Sequence, residues 1–267
     1  MLIKITKGEK NIRGKMNLIK KTKEKIVFSA ETNESMANAI RRSVNEIPIL
    51  AIDEIEFHKN DSALYDEILA HRLGLIPLKM EKSLTSMEKC SCKGKGCNKC
   101  TIQLKLAAKG ACTVYSKSLK GGAEAVYDKI PIVLLTEGQE LELVARARLG
   151  KGIEHVKFSP GIIYYRNKAK IEIDKDCDLC EDCVKACPAK ILSKDKKITT
   201  KDDYMCDSCE ACVEACKKHG KECIKISPSG EILFFIESFG QIDAKEIFEE
   251  AIDSLNKNLE QLNKELK

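Results

Sequence analysis

The cysteine pattern constrains this chain more than any other feature of its sequence. Residues 177–187 read CDLCEDCVKAC and residues 206–216 read CDSCEACVEAC, so two runs place four thiols each at the same intervals. A third group, CSCKGKGCNKC, holds four more thiols within residues 90–100. Thiols clustered at such short intervals without a secretory leader are typical of metal binding in a reducing compartment. We therefore expect cysteine-bound metal and no disulfide framework.

The two equal runs have the spacing C-x₂-C-x₂-C-x₃-C, by which bacterial ferredoxins bind [4Fe–4S] clusters. In that arrangement the fourth cysteine of each run binds the other cluster. The spacing therefore predicts two clusters within a ferredoxin-like segment, residues 166–228. The predicted ligands are Cys177, Cys180, Cys183 and Cys216 for the first cluster, and Cys206, Cys209, Cys212 and Cys187 for the second. Lys217 replaces the proline that follows the first run, a departure that affects the cluster bound by Cys216.

The third group, Cys90, Cys92, Cys97 and Cys100, lies in a loop rich in glycine and lysine. Four thiols suit a tetrahedral Zn²⁺ ion, and a closed site of this kind stabilises a loop without performing chemistry. We predict one structural zinc here, with a third iron–sulfur site or free thiols as the alternatives. Two cysteines remain: Cys223 is predicted to be a small buried residue or a spare ligand, and Cys112 stands alone.

No catalytic pattern is recognised outside the cysteine groups. The four histidines lack the spacing of a zinc hydrolase and are interpreted as ordinary surface or core residues. The acidic run DEIE at residues 53–56 suggests either a Mg²⁺ site or a solvated strand edge. We favour the strand edge, because no phosphate-binding glycine loop accompanies the run.

Length and charge limit the classes of function. A chain of 267 residues is expected to hold two or three domains. Its net charge of +5 is modest for a chain that binds DNA by itself, so we expect no direct sequence-specific DNA binding. No apolar run approaches the ~20 residues that span a bilayer, and no signal peptide is recognised. We expect a cytoplasmic protein that does not contact the membrane.

Hydrophobic periodicity predicts strands and helices at both ends of the chain. Strands are predicted at residues 2–5, 16–19 and 25–30 and again at 231–239, with a β-rich region between residues 49 and 165. Asn33 is predicted to cap a helix that ends before Pro48, with Met36, Ile40, Val44 and Ile47 on one face. A second helix is predicted after Asp243 and Glu246, which have capping-box spacing. Its apolar stripe comprises Ile247, Phe248, Ala251, Ile252, Leu255, Leu259, Leu262 and Leu266.

Four segments resemble the alpha-type subunits of RNA polymerase, in the branch shared by archaea and eukaryotes. They are ESMANAIRRSVNEIPILAIDEIEF (34–57), DEILAHRLGLIPL (66–78), LELVARARLGKGIEHVKFSPG (141–161) and FFIESFGQIDAKEIFEEAI (234–252). They follow the order of the family along most of the chain, and some archaeal members carry a ferredoxin-like domain at the position found here. The resemblance implies an α+β fold with a dimerisation domain split between residues 1–48 and 229–267. A β-rich insert domain, residues 49–165, and the ferredoxin-like domain would lie between these halves.

The resemblance also implies a function and its partners. The chain would pair with a small alpha-like subunit, called L, and together they would recruit the large catalytic subunits and other small subunits. Catalytic residues are expected in another subunit. The implied contact residues toward L are Met36, Ile40, Val44, Phe248, Ile252, Leu255 and Leu259. Under this interpretation the clusters are structural, and their loss in oxygen or iron starvation could also regulate assembly.

The alternative function is a ferredoxin-type electron-transfer subunit of an anaerobic oxidoreductase. Residues 166–228 hold 14 basic and 13 acidic side chains, so this segment lacks the acidic surface that directs mobile ferredoxins to basic partners. An electron-transfer subunit also has no need of the polymerase-like segments. We therefore favour the polymerase subunit.

Overall fold

The computed structural model describes residues 16–79 and 84–266. These residues form two compact units. The first unit comprises residues 16–21, 27–38 and 164–235, and the second comprises residues 22–26, 39–79, 84–163 and 236–266. The strand predicted at residues 2–5 lies outside the described residues.

Strands and helices alternate irregularly within the described residues, which confirms the predicted α+β class. The strands are β1 (Asn17–Lys21), β2 (Lys25–Ala30), β3 (Pro48–Asn60), β4 (Thr101–Lys109), β5 (Cys112–Tyr115), β6 (Lys120–Gly121), β7 (Pro131–Leu135), β8 (Glu140–Lys151), β9 (Gly161–Ile173), β10 (Leu192–Lys194), β11 (Ile198–Thr200) and β12 (Ile224–Ser238). The α-helices are α1 (Glu34–Ser43), α2 (Asp66–Gly74), α3 (Asp182–Ala186), α4 (Ala211–Lys218) and α5 (Ala244–Glu265).

The strands are arranged in two larger and two smaller sheets. The four-stranded sheets have the orders β1-β2-β12-β9 and β3-β8-β4-β6, and the two-stranded sheets pair β10 with β11 and β5 with β7. β9 and β12 are therefore neighbours, although residues 174–223 separate them in sequence. The backbone N–H of Asp174 donates to the carbonyl oxygen of Cys223 at 2.8 Å. This bond closes the base of the long segment that connects the two strands.

The predicted cap of α1 is confirmed. Asn33 accepts a hydrogen bond at its Oδ1 from the backbone N–H of Met36 at 2.8 Å, which satisfies one of the free donors of the first helical turn. The helix ends at Ser43, and a short 3₁₀ turn, Val44–Glu46, leads into β3 at Pro48. The α-helix is thus shorter than the predicted range 34–47, and its last turn is tightened.

The core of the second unit lies against the sheet of β3, β8 and β4. β3 and β8 pair antiparallel from Pro48↔Lys151 to Asn60↔Leu141. Along β4 the buried positions alternate with exposed ones, as expected for a sheet with one covered face. Helix α2 contributes Leu69 and Leu73, both fully buried. Sequence reasoning predicted only a β-rich region here and did not identify this helix.

Two boundaries near the C-terminus differ from the prediction. β12 begins at Ile224, well before the predicted start at residue 231. Asp243 does occupy the N-cap position of α5, but its side chain makes no capping hydrogen bond, so the predicted capping box is wrong. The carboxylate instead lies 4.0 Å from the ammonium group of Lys23, and the Lys23 carbonyl accepts a bond from Ala244 N–H.

A close backbone approach explains a glycine in one of the polymerase-like segments. A Cβ atom added to Gly161 would lie 2.2 Å from the carbonyl oxygen of Glu237, a distance that no side chain tolerates. Gly161 therefore allows the start of β9 to pass close to the end of β12. No helix among the described residues is long and apolar enough to cross a membrane.

Candidate metal centres

The first predicted cluster set surrounds one cavity of the first unit. Its four thiols, Cys177, Cys180, Cys183 and Cys216, line a space of about 310 Å³ together with Ile198 and Ile224. Three of the thiols come from the loop and first turn of α3, and the fourth comes from α4. The structure therefore brings together residues that are up to 39 positions apart in sequence.

The second predicted set surrounds a separate cavity of similar size in the same unit. Cys187, Cys206, Cys209 and Cys212 line a space of about 330 Å³. The remaining walls are mostly apolar and include Ile171, Ile191, Leu192 and Ile226, with Asp207 as the one charged residue among the described lining residues. Each run thus contributes three thiols to one cavity and its last thiol to the other, as the crossed ferredoxin assignment requires.

The backbone of both runs has the same unusual conformation. Leu179 and Glu181 in the first run have positive φ angles, and so do Ser208 and Glu210 at the equivalent places in the second. Non-glycine residues rarely adopt this conformation. Right- and left-handed residues in succession turn backbone N–H groups toward a common point, an arrangement found around iron–sulfur sites. The two loops therefore share one local backbone geometry at equivalent positions.

The spacing of the thiols distinguishes a cluster from a single ion. Among the described residues, no three of these eight sulfur atoms lie within 4.8 Å of one another. Thiolates that share one ion lie closer together, whereas a four-iron core places each thiolate on a different iron. The thiols therefore fit [4Fe–4S] groups better than a single ion held by cysteines alone. One mixed group, Asp178, Cys180 and His219, does have its ligand atoms within 4.8 Å of one another.

Burial changes the acidity of several of these thiols. Burial, helped by the neighbouring thiols of Cys177 and Cys180, raises the pKa of Cys183 to about 11. Burial likewise raises the pKa of Cys206 and of Cys212. Iron must displace a proton from such a thiol when it binds, so cluster binding is coupled to proton release.

Charged side chains connect the two halves of the first centre. Lys221 lies 3.0 Å from Asp178, and His219 lies 3.6 Å from Asp178 and 3.2 Å from Asp182. The two aspartates flank cysteines of the first run, and His219 and Lys221 follow α4, which carries Cys216. The sequence analysis did not identify this group. The signal for it was the presence of acidic residues beside the cysteines of the first run and of basic residues after the second run.

The third cysteine group forms a compact centre in the second unit. The sulfur atoms of Cys90, Cys92, Cys97 and Cys100 all lie within 4.8 Å of one another. The Cys90–Cys97 and Cys92–Cys100 sulfur pairs are each 3.5 Å apart, and Cys97–Cys100 is 3.8 Å. A tetrahedral Zn–S₄ site sets its sulfur atoms about 3.8 Å apart, given Zn–S bonds of about 2.3 Å. The geometry fits one zinc ion.

The electrostatics of this loop also suit a metal ion. The backbone N–H of Cys97 donates to Cys100 Sγ at 3.3 Å. Burial raises the pKa of Cys100 to about 12. Burial also acts to raise the pKa of Cys92, but hydrogen bonds from Cys90 and Cys100 outweigh it and lower that pKa to about 7. The loop thus holds a readily ionised thiol beside a strongly protonated one.

The predicted contact residues toward a partner subunit fall into two groups. Ile40, Val44 and Ile252 are buried within this chain, whereas Met36, Phe248 and Leu255 are half-buried and Leu259 is 50% exposed. Leu262 and Leu266, which continue the stripe of α5, are 52% and 77% exposed. The first half of α5 therefore packs on its own chain, and the second half presents leucines to the surface.

Two family models match the chain. Residues 50–165 match the RNA polymerase Rpb3/RpoA insert domain, and residues 169–217 match a 4Fe-4S dicluster domain. The second match contains both cysteine runs in full. The chain therefore carries an iron–sulfur domain of the dicluster type inside a polymerase-like host.

Relatives along nearly the whole length are DNA-directed RNA polymerase subunits named Rpo3. The Archaeoglobus fulgidus protein is 36% identical over 237 residues, covering 86% of this chain and 89% of the relative. The Methanothermobacter thermautotrophicus protein is 39% identical over 256 residues, covering 92% and 96%. The Pyrococcus horikoshii protein is 34% identical over 263 residues, covering 94% and 97%.

Proposed function

Because the chain belongs to the Rpo3 family of archaeal DNA-directed RNA polymerase subunits, we propose that it is a non-catalytic assembly platform. It pairs with the small alpha-like subunit L, and the pair then recruits the large subunits and further small ones. The residues that perform nucleotidyl transfer belong to another subunit. In this proposal the protein lies in the cytoplasm. It makes no sequence-specific contacts to DNA and does not bind a membrane.

The exposed stripe on α5 is the observation that carries this proposal. Leu255, Leu259, Leu262 and Leu266 recur at intervals of four, three and four residues, so they lie on one face of the helix. Ile247 and Ala251 of the same helix are fully buried. A helix that is anchored at one end and apolar along its free end is suited to pack against a partner helix.

The proposed contact face on α5 also includes Phe248 and Leu255, which are both half-buried. Met36 is half-buried on α1 in the first unit, and we propose it as a separate contact residue. Ile40, Val44 and Ile252 are already buried, and in this proposal they support the face from behind. The partner would supply an amphipathic helix of matching apolar character.

We further propose that the three centres bind two [4Fe–4S] clusters and one zinc ion. Cys177, Cys180, Cys183 and Cys216 would bind one cluster, and the thiols of the second cavity, Cys187, Cys206, Cys209 and Cys212, the other. The group Cys90, Cys92, Cys97 and Cys100 would bind the zinc. Each bound group supplies cross-links between segments that are distant in sequence, and metal ligation can provide much of a small domain's stability.

Cluster binding would also make assembly sensitive to oxygen and iron. In the core cluster around the two cysteine runs, four of the nine buried residues are cysteines. Loss of the clusters would therefore loosen this unit. We propose that fewer cluster-free chains then enter the polymerase.

The test is anaerobic co-purification of the full chain with a candidate small alpha-like subunit, with assays for iron, sulfide and zinc. We expect a stoichiometric heterodimer with about eight irons per chain of this protein and about one zinc. A chain that stays monomeric beside that subunit would contradict the platform role. A heterodimer with about four irons or fewer would leave the platform role standing and contradict the two-cluster content.

A further inference from the structure

Arg166 on β9 joins the sheet of the first unit to the segment that carries the second centre. Its Nη2 donates to the carbonyl oxygen of Tyr204 at 2.5 Å, and its guanidinium carbon lies 5.0 Å from the centre of the Phe235 ring. Phe235 in turn stacks on Tyr164, with 4.8 Å between the ring centres. The guanidinium is therefore held in place by an aromatic face and a carbonyl group.

The Arg166 side chain is not fully satisfied by the protein. Its Nε is the one buried side-chain nitrogen or oxygen without a hydrogen-bond partner in the part of the chain that the structure describes. Such a group is rare, because desolvating a donor without replacing its bond costs free energy. The burial of a positive charge adds to this cost unless a negative charge lies nearby. The arginine therefore has an unused, buried donor at Nε.

The position of Arg166 points to the second centre as the source of that negative charge. Tyr204 lies in the 3₁₀ turn Asp203–Met205, which directly precedes Cys206. Through its bond to Tyr204, Arg166 thus holds the turn that leads directly into a predicted ligand of the second cluster.

The positively charged residue beside the first centre comes from a different part of the chain. Asp178 follows Cys177 just as Asp207 follows Cys206, and Lys221 lies 3.0 Å from Asp178. The Lys221 side chain is 41% exposed and follows α4, within the cysteine-rich segment. At the second centre the cation comes from β9, which precedes both cysteine runs in sequence. The two centres are therefore not electrostatically equivalent.

We propose that Arg166 is a positioning residue of the second iron–sulfur centre, an inference that rests on the two-cluster content proposed above. Its hydrogen bond to Tyr204 holds the segment that places Cys206, and its charge offsets the negative charge that thiolate ligands give to a bound cluster. Reduction adds one further negative charge to a cluster, and a nearby cation favours that state. The charge of Arg166 therefore raises the reduction potential of the second cluster above the value that this cluster would have without it.

The experiment separates the two centres before it tests the arginine. In the full chain, Cys180→Ser leaves only the second centre complete, and Cys209→Ser leaves only the first. Arg166→Gln, Arg166→Lys and the control Lys170→Gln are placed in each background, and iron and sulfide are assayed after anaerobic reconstitution. Lys170 suits the control because it lies on the same strand and its side chain is 60% exposed.

We expect a loss of iron that is specific to one centre. With only the second centre complete, Arg166→Gln should lower the content from about four irons per chain to less than about one. With only the first centre complete, the same substitution should leave the iron content unchanged. Lys170→Gln should change neither background.

A second readout tests the charge apart from the hydrogen bond. Arg166→Lys keeps the positive charge but loses the planar, forked donor. Any second cluster that loads in this variant should keep a potential close to that of the wild type. Any second cluster that loads in Arg166→Gln should have a more negative reduction potential than the second cluster of the wild type. Far-ultraviolet circular dichroism of each variant monitors the fold.

Three results would overturn the inference. One is an unchanged iron content and an unchanged potential at the second centre in Arg166→Gln. Another is the loss of iron from both backgrounds, since it would give Arg166 a role in the whole unit. The third is a wild-type chain that never loads the second centre, and this result would also contradict the proposed two-cluster content. Only the third affects the proposed function.

Discussion

Arg148 on β8 donates from Nε to Oδ2 of Asp53 on β3 at 2.6 Å. Lys157 donates from Nζ to the other oxygen of the same carboxylate, also at 2.6 Å. Both cations lie over the ring of Phe158, at 4.9 and 5.1 Å from its centre. Asp53 is therefore an ion-paired residue of the sheet, and the two cations disfavour a Mg²⁺ ion at the acidic run of β3.

Asp53→Asn should destabilise the second unit. The substitution leaves two partly buried cations without their shared carboxylate, and the expected loss in free energy of unfolding is about 1–2 kcal/mol at pH 7. Urea unfolding of the variant and the wild type measures it. Glu54→Gln is the matched control, since Glu54 pairs with Arg146 at 2.6 Å but its side chain is 66% exposed. If Glu54→Gln lowers the free energy of unfolding as much as Asp53→Asn does, the assignment of Asp53 as a stabilising ion-paired residue is contradicted.

The contribution of Asp53 should depend on pH. Burial raises the pKa of Asp53, but bonds from Lys157 and Arg148 outweigh it and hold that pKa below its usual value of 3.8. The folded state thus favours the ionised carboxylate, so its contribution is complete above pH 3.8. It is lost as the pH falls through the lower, folded value. The difference between wild type and Asp53→Asn should therefore stay constant above about pH 4 and shrink as the pH falls below that value.

Cys97→Ser should remove the zinc and leave the iron. Loss of one of four thiolates opens the closed site, and we expect the zinc content to fall from about one per chain to near zero. Metal analysis of the purified chain measures both elements. Cys112→Ser is the control, because Cys112 is an exposed thiol on β5 outside the metal centres. A variant that keeps its zinc would show that the ion binds elsewhere.

Cys183→Ser should remove about half of the iron. Cys183 lines only the first cavity, so about four of eight irons should be lost while the second cluster remains. If the clusters regulate assembly, the yield of heterodimer with the small alpha-like subunit should fall with the iron content. Unchanged binding to that subunit would limit the first cluster to a local, stabilising role.

Leu259→Gln combined with Leu262→Gln should weaken binding to the partner subunit but leave the isolated chain stable. Both side chains are about half exposed, so the free energy of unfolding should change by less than about 0.5 kcal/mol. The dissociation constant of the heterodimer should rise at least about tenfold, because two apolar contacts are lost. Lys257→Gln, on the opposite face of α5, is the control. Equal effects of the control and the leucine variant on binding would contradict the proposed face.

Features that depend on short-range chemistry were predictable from the sequence. Asn33 was identified as a helix cap from its place before an apolar stripe, and its side chain does bond the first turn. The three thiols that each run places in one cavity follow from spacing in the same way, because their short intervals leave few ways for a loop to fold around a metal group. The fourth thiol of each cavity comes from the other run, and it was assigned from the ferredoxin pattern.

Features that depend on distant partners were not predictable. Helix α2 has only nine residues, too few for periodicity to separate a helix from a strand, and the burial of Leu69 and Leu73 comes from the sheet. The carboxylate of Asp243 contacts Lys23, more than 200 residues away, so local spacing suggested a capping box that does not form. Arg166 gave no signal because nothing in its own neighbourhood resembles a metal site.

The hydrogen bond between Asp174 and Cys223 has a structural consequence. It closes the base of a segment that begins and ends on neighbouring strands, so the dicluster domain takes the place of a hairpin loop. A loop of this kind can be lengthened, shortened or lost without altering the order of the strands on either side. The dicluster segment therefore joins the sheet through the ends of two adjacent strands, so a change in its length would leave the strand order of that sheet unaltered.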